Sequence, residues 1–131
     1  MRVVAGNRGF APWREIPMLT ESEFIAAADA TLTAIGEAID RALADSDDDL
    51  DWTIRDGILT IECDDGSKLI VNRHVANREI WVAARAGGYH YRSSGGLWRD
   101  TRSGDELGGA FAALLKAQSG VAIELGVLSA P

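Results

Sequence analysis

Asp51-Trp52-Thr53-Ile54-Arg55-Asp56-Gly57-Ile58-Leu59-Thr60-Ile61-Glu62-Cys63 reads as two short strands joined by a two-residue turn. Asp-Gly is a favoured pair at the centre of a hairpin, because both central residues must take a positive φ. Leu59, Ile61 and Cys63 alternate onto one face, so Cys63 reads as a small core residue rather than a reactive thiol. Asp65-Gly66 repeats the turn signal before a third strand, Lys68 to Asn72, with Leu69 and Val71 on one face. A fourth strand spans Glu79 to Ala84, a fifth Gly88 to Arg92, and a short sixth Leu97 to Arg99. Connections this short predict an antiparallel meander with one face covered and one face wet.

On the N-terminal side of the hairpin lies a long helical pattern. Thr20-Glu21-Ser22-Glu23 has the form of a capping box, and Phe24, Ala28, Leu32, Ile35, Ile39 and Leu43 follow at spacings of three and four. On the C-terminal side, Ser103-Gly104-Asp105-Glu106 reads as a second capping box ahead of a stripe of Leu107, Phe111, Leu114 and Leu115, with Gly120 as the stop. Gly108 and Gly109 weaken that helix by about 1 kcal/mol each against alanine, which predicts irregular first turns. The apolar tail from Val121 to Pro131 is too short for another element and is expected in a groove of the fold. The predicted fold class is α+β: a two-layer sandwich, with N- and C-terminal helices packed on one face of an antiparallel β-sheet of about six strands.

Between the first helix and the first strand runs Asp45-Ser46-Asp47-Asp48-Asp49-Leu50-Asp51, in which five of seven residues are aspartate. Like charges this close repel, a cost relieved by a cation or a basic partner; taken alone, such a run is more often a solvated loop. Its neighbours on the first helix are also acidic. Asp29, Glu37 and Asp40 lie on the flank and far side of the apolar stripe, and Glu37 and Asp40 are adjacent on that surface. Acids near the C-terminal end of a helix also oppose its dipole. Carboxylates without histidine or thiolate suit hard, oxygen-preferring ions: calcium, magnesium, manganese or iron. On an open surface such a site is shallow, hydrated and weak. The run lacks the position-six glycine and position-twelve glutamate of an EF-hand loop.

Composition narrows the function classes. The 131 residues suffice for one domain, with 13 Lys+Arg against 20 Asp+Glu and a net charge of −7. Such a chain is expected to avoid nucleic acid and anionic membranes and to attract cations or basic protein surfaces. One cysteine excludes an intrachain disulfide and fits a reducing cytoplasm. Residues 1–17 hold Arg2, Arg8 and Arg14 against Glu15 and have no periodic pattern. They are expected to form a flexible leader ahead of a single domain over 18–131, with Met18 an alternative start. That domain is the more acidic part, at net −9.

Trp81 carries the second surface. In Glu79-Ile80-Trp81-Val82-Ala83-Ala84, alternation puts Ile80, Val82 and Ala84 on the covered face and Trp81 on the helix-free face. There it either anchors a partner protein or packs on the stems of Arg73 or Lys68. Trp52 and Trp98 read as core or rim aromatics. His74 and His90 have no second histidine or cysteine at ligand spacing and read as structural. No phosphate-binding glycine loop, nucleophile elbow or Cys/His pair is present.

From Thr20 to about Gln118 the chain resembles the frataxin family in its bacterial form. The resemblance is carried by Thr20-Glu21-Ser22-Glu23-Phe24, the acidic run into the first strand, and Gly57-Ile58-Leu59-Thr60-Ile61. It continues through Gly66-Ser67-Lys68-Leu69-Ile70-Val71-Asn72-Arg73, Glu79-Ile80-Trp81-Val82-Ala83, Gly87-Gly88-Tyr89-His90-Tyr91 and Arg102-Ser103-Gly104. The chain departs from the family in its leader, in Gly108-Gly109, and in Asp40-Arg41 where an aspartate pair is common.

The resemblance implies a small iron-binding protein of iron-sulfur cluster assembly, either an iron-dependent regulator of the cysteine desulfurase or an iron donor. It maps weakly bound iron (Fe2+/Fe3+) to Glu37, Asp40, Asp45, Asp47, Asp48, Asp49 and Asp51, and partner contact to Asn72, Arg73 and Trp81. It implies the desulfurase and the scaffold protein as partners, and a cytoplasmic monomer that iron can drive into oligomers. Two other classes stand beside it: an enzyme of ferroxidase type that oxidises iron, and an acidic protein-interaction module with incidental iron binding.

Overall fold

The computed structural model describes residues 19–131; the expected leader over 1–17, and Met18, lie outside the described residues. Helix α1 spans Glu21–Leu43 and begins as its capping box requires: Thr20 accepts from the Glu23 amide and the Glu23 carboxylate accepts from the Thr20 amide. Phe24, Ala28, Leu32, Ile35 and Ile39 of its stripe are fully buried.

Six strands follow: β1 Leu50–Arg55, β2 Ile58–Cys63, β3 Lys68–His74, β4 Glu79–Ala84, β5 Gly87–Ser94 and β6 Leu97–Asp100. They form one sheet in sequence order, each antiparallel to the next. The turn at Asp56-Gly57 has φ of 53° and 75°, the double positive-φ pair its sequence calls for. That turn fixes the register of β1 on β2, so that Asp51 faces Glu62 and Trp52 faces Ile61.

Both helices cover one face. Leu59, Ile61, Cys63, Leu69, Val71, Ile80, Val82, Tyr91 and Trp98 from the sheet meet α1 and helix α2, Leu107–Ser119, in a single core. The Trp98 indole N–H donates to Thr31 Oγ1 at 3.0 Å, which satisfies a polar group in that core.

Helix α2 starts later than the predicted capping box. Its N-cap is Glu106, not Ser103, and the Glu106 carboxylate accepts from the Gly108 and Gly109 amides. A carboxylate at this position satisfies two free amides and complements the helix dipole. Gly108 is buried under the tail: a Cβ there would sit 2.3 Å from the Gly126 carbonyl oxygen. The glycine therefore permits a close approach. The tail does lie in a groove, with Val121, Ile123 and Leu128 buried. It runs along β6, where Leu97 bridges Ser129 and the Ala130 amide donates to the Gly96 carbonyl at 2.8 Å.

Candidate functional site

The acids of the expected ridge are all exposed, on α1, on β1 and in the connection between them. Glu37 and Asp40 are exposed on α1, Asp45, Asp47, Asp48 and Asp49 are exposed in the connection, and Asp51 is exposed on β1. Two contacts hold the joint. Trp52, half-buried, lies against Gly36, where a Cβ would come within 2.7 Å of the indole ring, and its Nε1–H donates to Asp40 Oδ1 at 2.8 Å. Within the loop, Ser46 Oγ donates to Asp48 Oδ2 at 2.8 Å and accepts from the Asp48 amide at 2.9 Å. Among the described residues, no three Asp, Glu, His or Cys side chains converge on one point to enclose an ion. The ridge thus offers single carboxylates to a hydrated cation, as its open geometry dictates.

The acidic surface extends further than the sequence reading had it. Asp49, Asp51, Glu62 and Asp64, with Cys63 and Gly66, line a shallow hollow of about 200 Å³. Glu62 and Asp64 were missed, although counting back from Asp56-Gly57 pairs Asp51 with Glu62 across the hairpin.

The second surface is the face of the sheet away from the helices. Asn72 pairs with Trp81, which pairs with His90, in one row across β3, β4 and β5. Trp81 does point to this face, yet it packs on neither Arg73 nor Lys68. Its indole stacks between the imidazoles of His74 and His90, with ring centroids at 3.7 and 4.3 Å and planes within 8° and 7°. The histidines are thus the walls of a three-ring stack.

Arg73 needs correction. It shares the parity of Leu69 and Val71, so its side chain lies on the helix-covered face, where it forms an ion pair with Asp29 of α1. The Arg73 side chain also passes directly over Gly57. It ties α1 to the sheet and takes no place beside Asn72 and Trp81.

Glu79 completes the open face. Its side chain is only 4% exposed, although on the same face of β4 Ala83 is exposed and Trp81 partly so. Oε1 accepts from the Trp81 indole N–H at 2.8 Å and lies 3.7 Å from His90 Nδ1, while Oε2 pairs with Arg92. Burial pushes this carboxyl up, but the Trp81 bond, the Arg92 bond and charge, and His90 outweigh it. The net result is a carboxyl held below its usual range.

The chain thus combines an antiparallel sheet under two helices, an acidic joint between α1 and β1, and a stacked tryptophan on the bare face. The frataxin-like domain family matches residues 17–121, and the chain belongs to that family. It is 47% identical over 110 residues, 84% of this chain and 97% of the relative, to the iron-sulfur cluster assembly protein CyaY of Ralstonia nicotianae. It is 41% identical over 111 residues, 85% of this chain and 100% of the relative, to the protein of the same name from Neisseria meningitidis serogroup B. Among solved structures, the frataxin of Psychromonas ingrahamii superposes with a TM-score of 0.74 at 33% identity, over 82% of this chain and 99% of that one. Trimeric yeast frataxin complexed with ferrous iron shares the fold, with a TM-score of 0.61 at 19% identity over 84% of this chain and 99% of that one.

Proposed function

We propose that this chain serves iron-sulfur cluster assembly in the cytoplasm as a non-enzymatic protein that binds iron weakly on its acidic ridge and regulates or supplies the cysteine desulfurase–scaffold machinery. The observation that carries this reading is 47% identity over 110 residues with a protein named for iron-sulfur cluster assembly. The two surfaces support it. Exposed carboxylates from Glu37 to Asp51 suit a hydrated hard cation and a basic protein patch, and on a separate face Trp81 supplies an apolar contact with the polar Asn72 beside it. Among the described residues no helix is long and apolar enough to cross a membrane. Iron is cargo in this reading, and cation loading of the ridge relieves repulsion between copies, which favours oligomers.

The test is a titration of desulfurase activity against this protein, with and without ferrous iron. The expected result is a rate that depends on both the protein and the metal. No effect under either condition refutes the reading, and oxygen consumption that saturates with ferrous iron would mark an iron-oxidising enzyme instead.

A further inference from the structure

The geometry points to Glu79 as the positioning residue of the open-face docking surface: its buried carboxylate fixes the Trp81 indole edge-on between His74 and His90, so that the anchor is set before any partner arrives. This rests on the reading that Trp81 contacts a protein partner.

An indole on a bare sheet face has several rotamers open to it, and each unfavourable one must be frozen out on binding. Here three contacts remove that freedom. The imidazoles close on both faces of the ring at 3.7 and 4.3 Å, and the Nε1–H is held at 2.8 Å by Glu79 Oε1. Glu79 is itself immobilised, since Oε2 pairs with Arg92 and the side chain is 4% exposed. A carboxylate this buried, on the solvent side of the sheet, needs its partners. The indole N–H, His90 Nδ1 and the Arg92 guanidinium all converge on it. The cross-strand lattice makes this arrangement: Glu79 faces Arg92, and Trp81 faces His90. What a partner meets is therefore a rigid row of three parallel ring edges with Asn72 alongside. A side chain free to swing would present something different.

Two conservative variants separate reach from charge. Glu79→Gln keeps the length and an oxygen acceptor for the indole N–H. Glu79→Asp keeps the charge but draws it back from the indole. In the free protein, hydrogen exchange of the Trp81 indole N–H, assigned by its loss in Trp81→Phe, should stay slow in the Gln variant and accelerate in the Asp variant. Affinity for the isolated iron-sulfur scaffold protein should follow the same order, roughly three- to tenfold weaker for Asp and nearly unchanged for Gln. The affinity loss should persist at a temperature where all the variants are fully folded, because it lies in the freedom of the anchor and not in global unfolding. Slow exchange and full affinity in Glu79→Asp would overturn the positioning role. If Trp81→Ala binds the scaffold as well as the wild type, the docking reading fails instead, and the exchange rates alone decide whether Glu79 fixes the ring.

Discussion

The Trp52 indole N–H reaches Asp40 Oδ1 at 2.8 Å, so the strand side of the acidic ridge is bonded to its helix side. Asp40 is therefore both a candidate iron ligand and a structural acceptor. Removing the donor with Trp52→Phe should cost about 0.5–1.5 kcal/mol, the net value of one such bond. It should also free Asp40, and NMR chemical shifts of Asp40 under ferrous iron should then move further than in the wild type. Equal stability in urea titrations would show that the bond contributes nothing.

Iron should perturb the amide signals of Glu37, Asp40 and residues 45–51, and also those of Glu62 and Asp64, which share the hollow with Asp49 and Asp51. The signals of His74 and His90 should stay in place, because their rings are committed to Trp81. Broadening centred on either histidine would move the site away from the carboxylates.

Mutual repulsion among the exposed aspartates predicts that Asp47→Asn, Asp48→Asn and Asp49→Asn together raise the melting temperature at low salt. The gain should fade as salt rises, since the screening length is about 10 Å at 0.1 M. Asparagine at 48 retains an acceptor for the Ser46 hydroxyl, so that local bond survives. A fall in melting temperature at low salt would mean that these acids hold the loop by contacts other than this one.

Trp81→Ala should cost about 1–2 kcal/mol of stability, less than the roughly 3–5 kcal/mol of a core aromatic. The loss comes from two stacked contacts and a buried acceptor left without its donor. A larger loss by chemical denaturation would place Trp81 among the core residues.

Acid should act through Glu79. Its folded carboxyl lies below the usual range, so it contributes stability above about pH 4.3, the value for a free glutamate. That contribution is lost as pH falls through the lower folded value. Thermal melts between pH 6 and pH 3 should therefore decline less steeply in Glu79→Gln than in the wild type. Parallel profiles would remove Glu79 from the acid response.

Much of this was legible because it depends on local chemistry. Thr20-Glu21-Ser22-Glu23 and Asp56-Gly57 each set a boundary within a few residues, and the alternation in β2 and β4 assigned the two faces of the sheet. The start of α2 was misread because Ser103 and Glu106 have the spacing of a capping box, while Glu106 itself had the better geometry for the Gly108 and Gly109 amides. Arg73 was grouped with Asn72 and Trp81 through family resemblance, although parity with Leu69 and Val71 already placed it under α1. The histidine stack and the burial of Glu79 depend on which residues face each other across β3, β4 and β5. Those registers follow from turns that single residues do not announce.

The sheet has two rims, and they are finished differently. At β6 the tail closes the rim, through Leu97 to Ser129 and the Ala130 amide to Gly96. At β1 no further strand pairs among the described residues, and Asp47, Asp48 and Asp49 lead into this strand, which carries Asp51. Unpaired strand edges invite pairing with another copy, and charge is one way a protein keeps copies apart. The same carboxylates that would receive a cation therefore act as a fence for the rim left unpaired among the described residues. On the proposed reading, filling them with metal would lower that fence and so tie cargo loading to self-association.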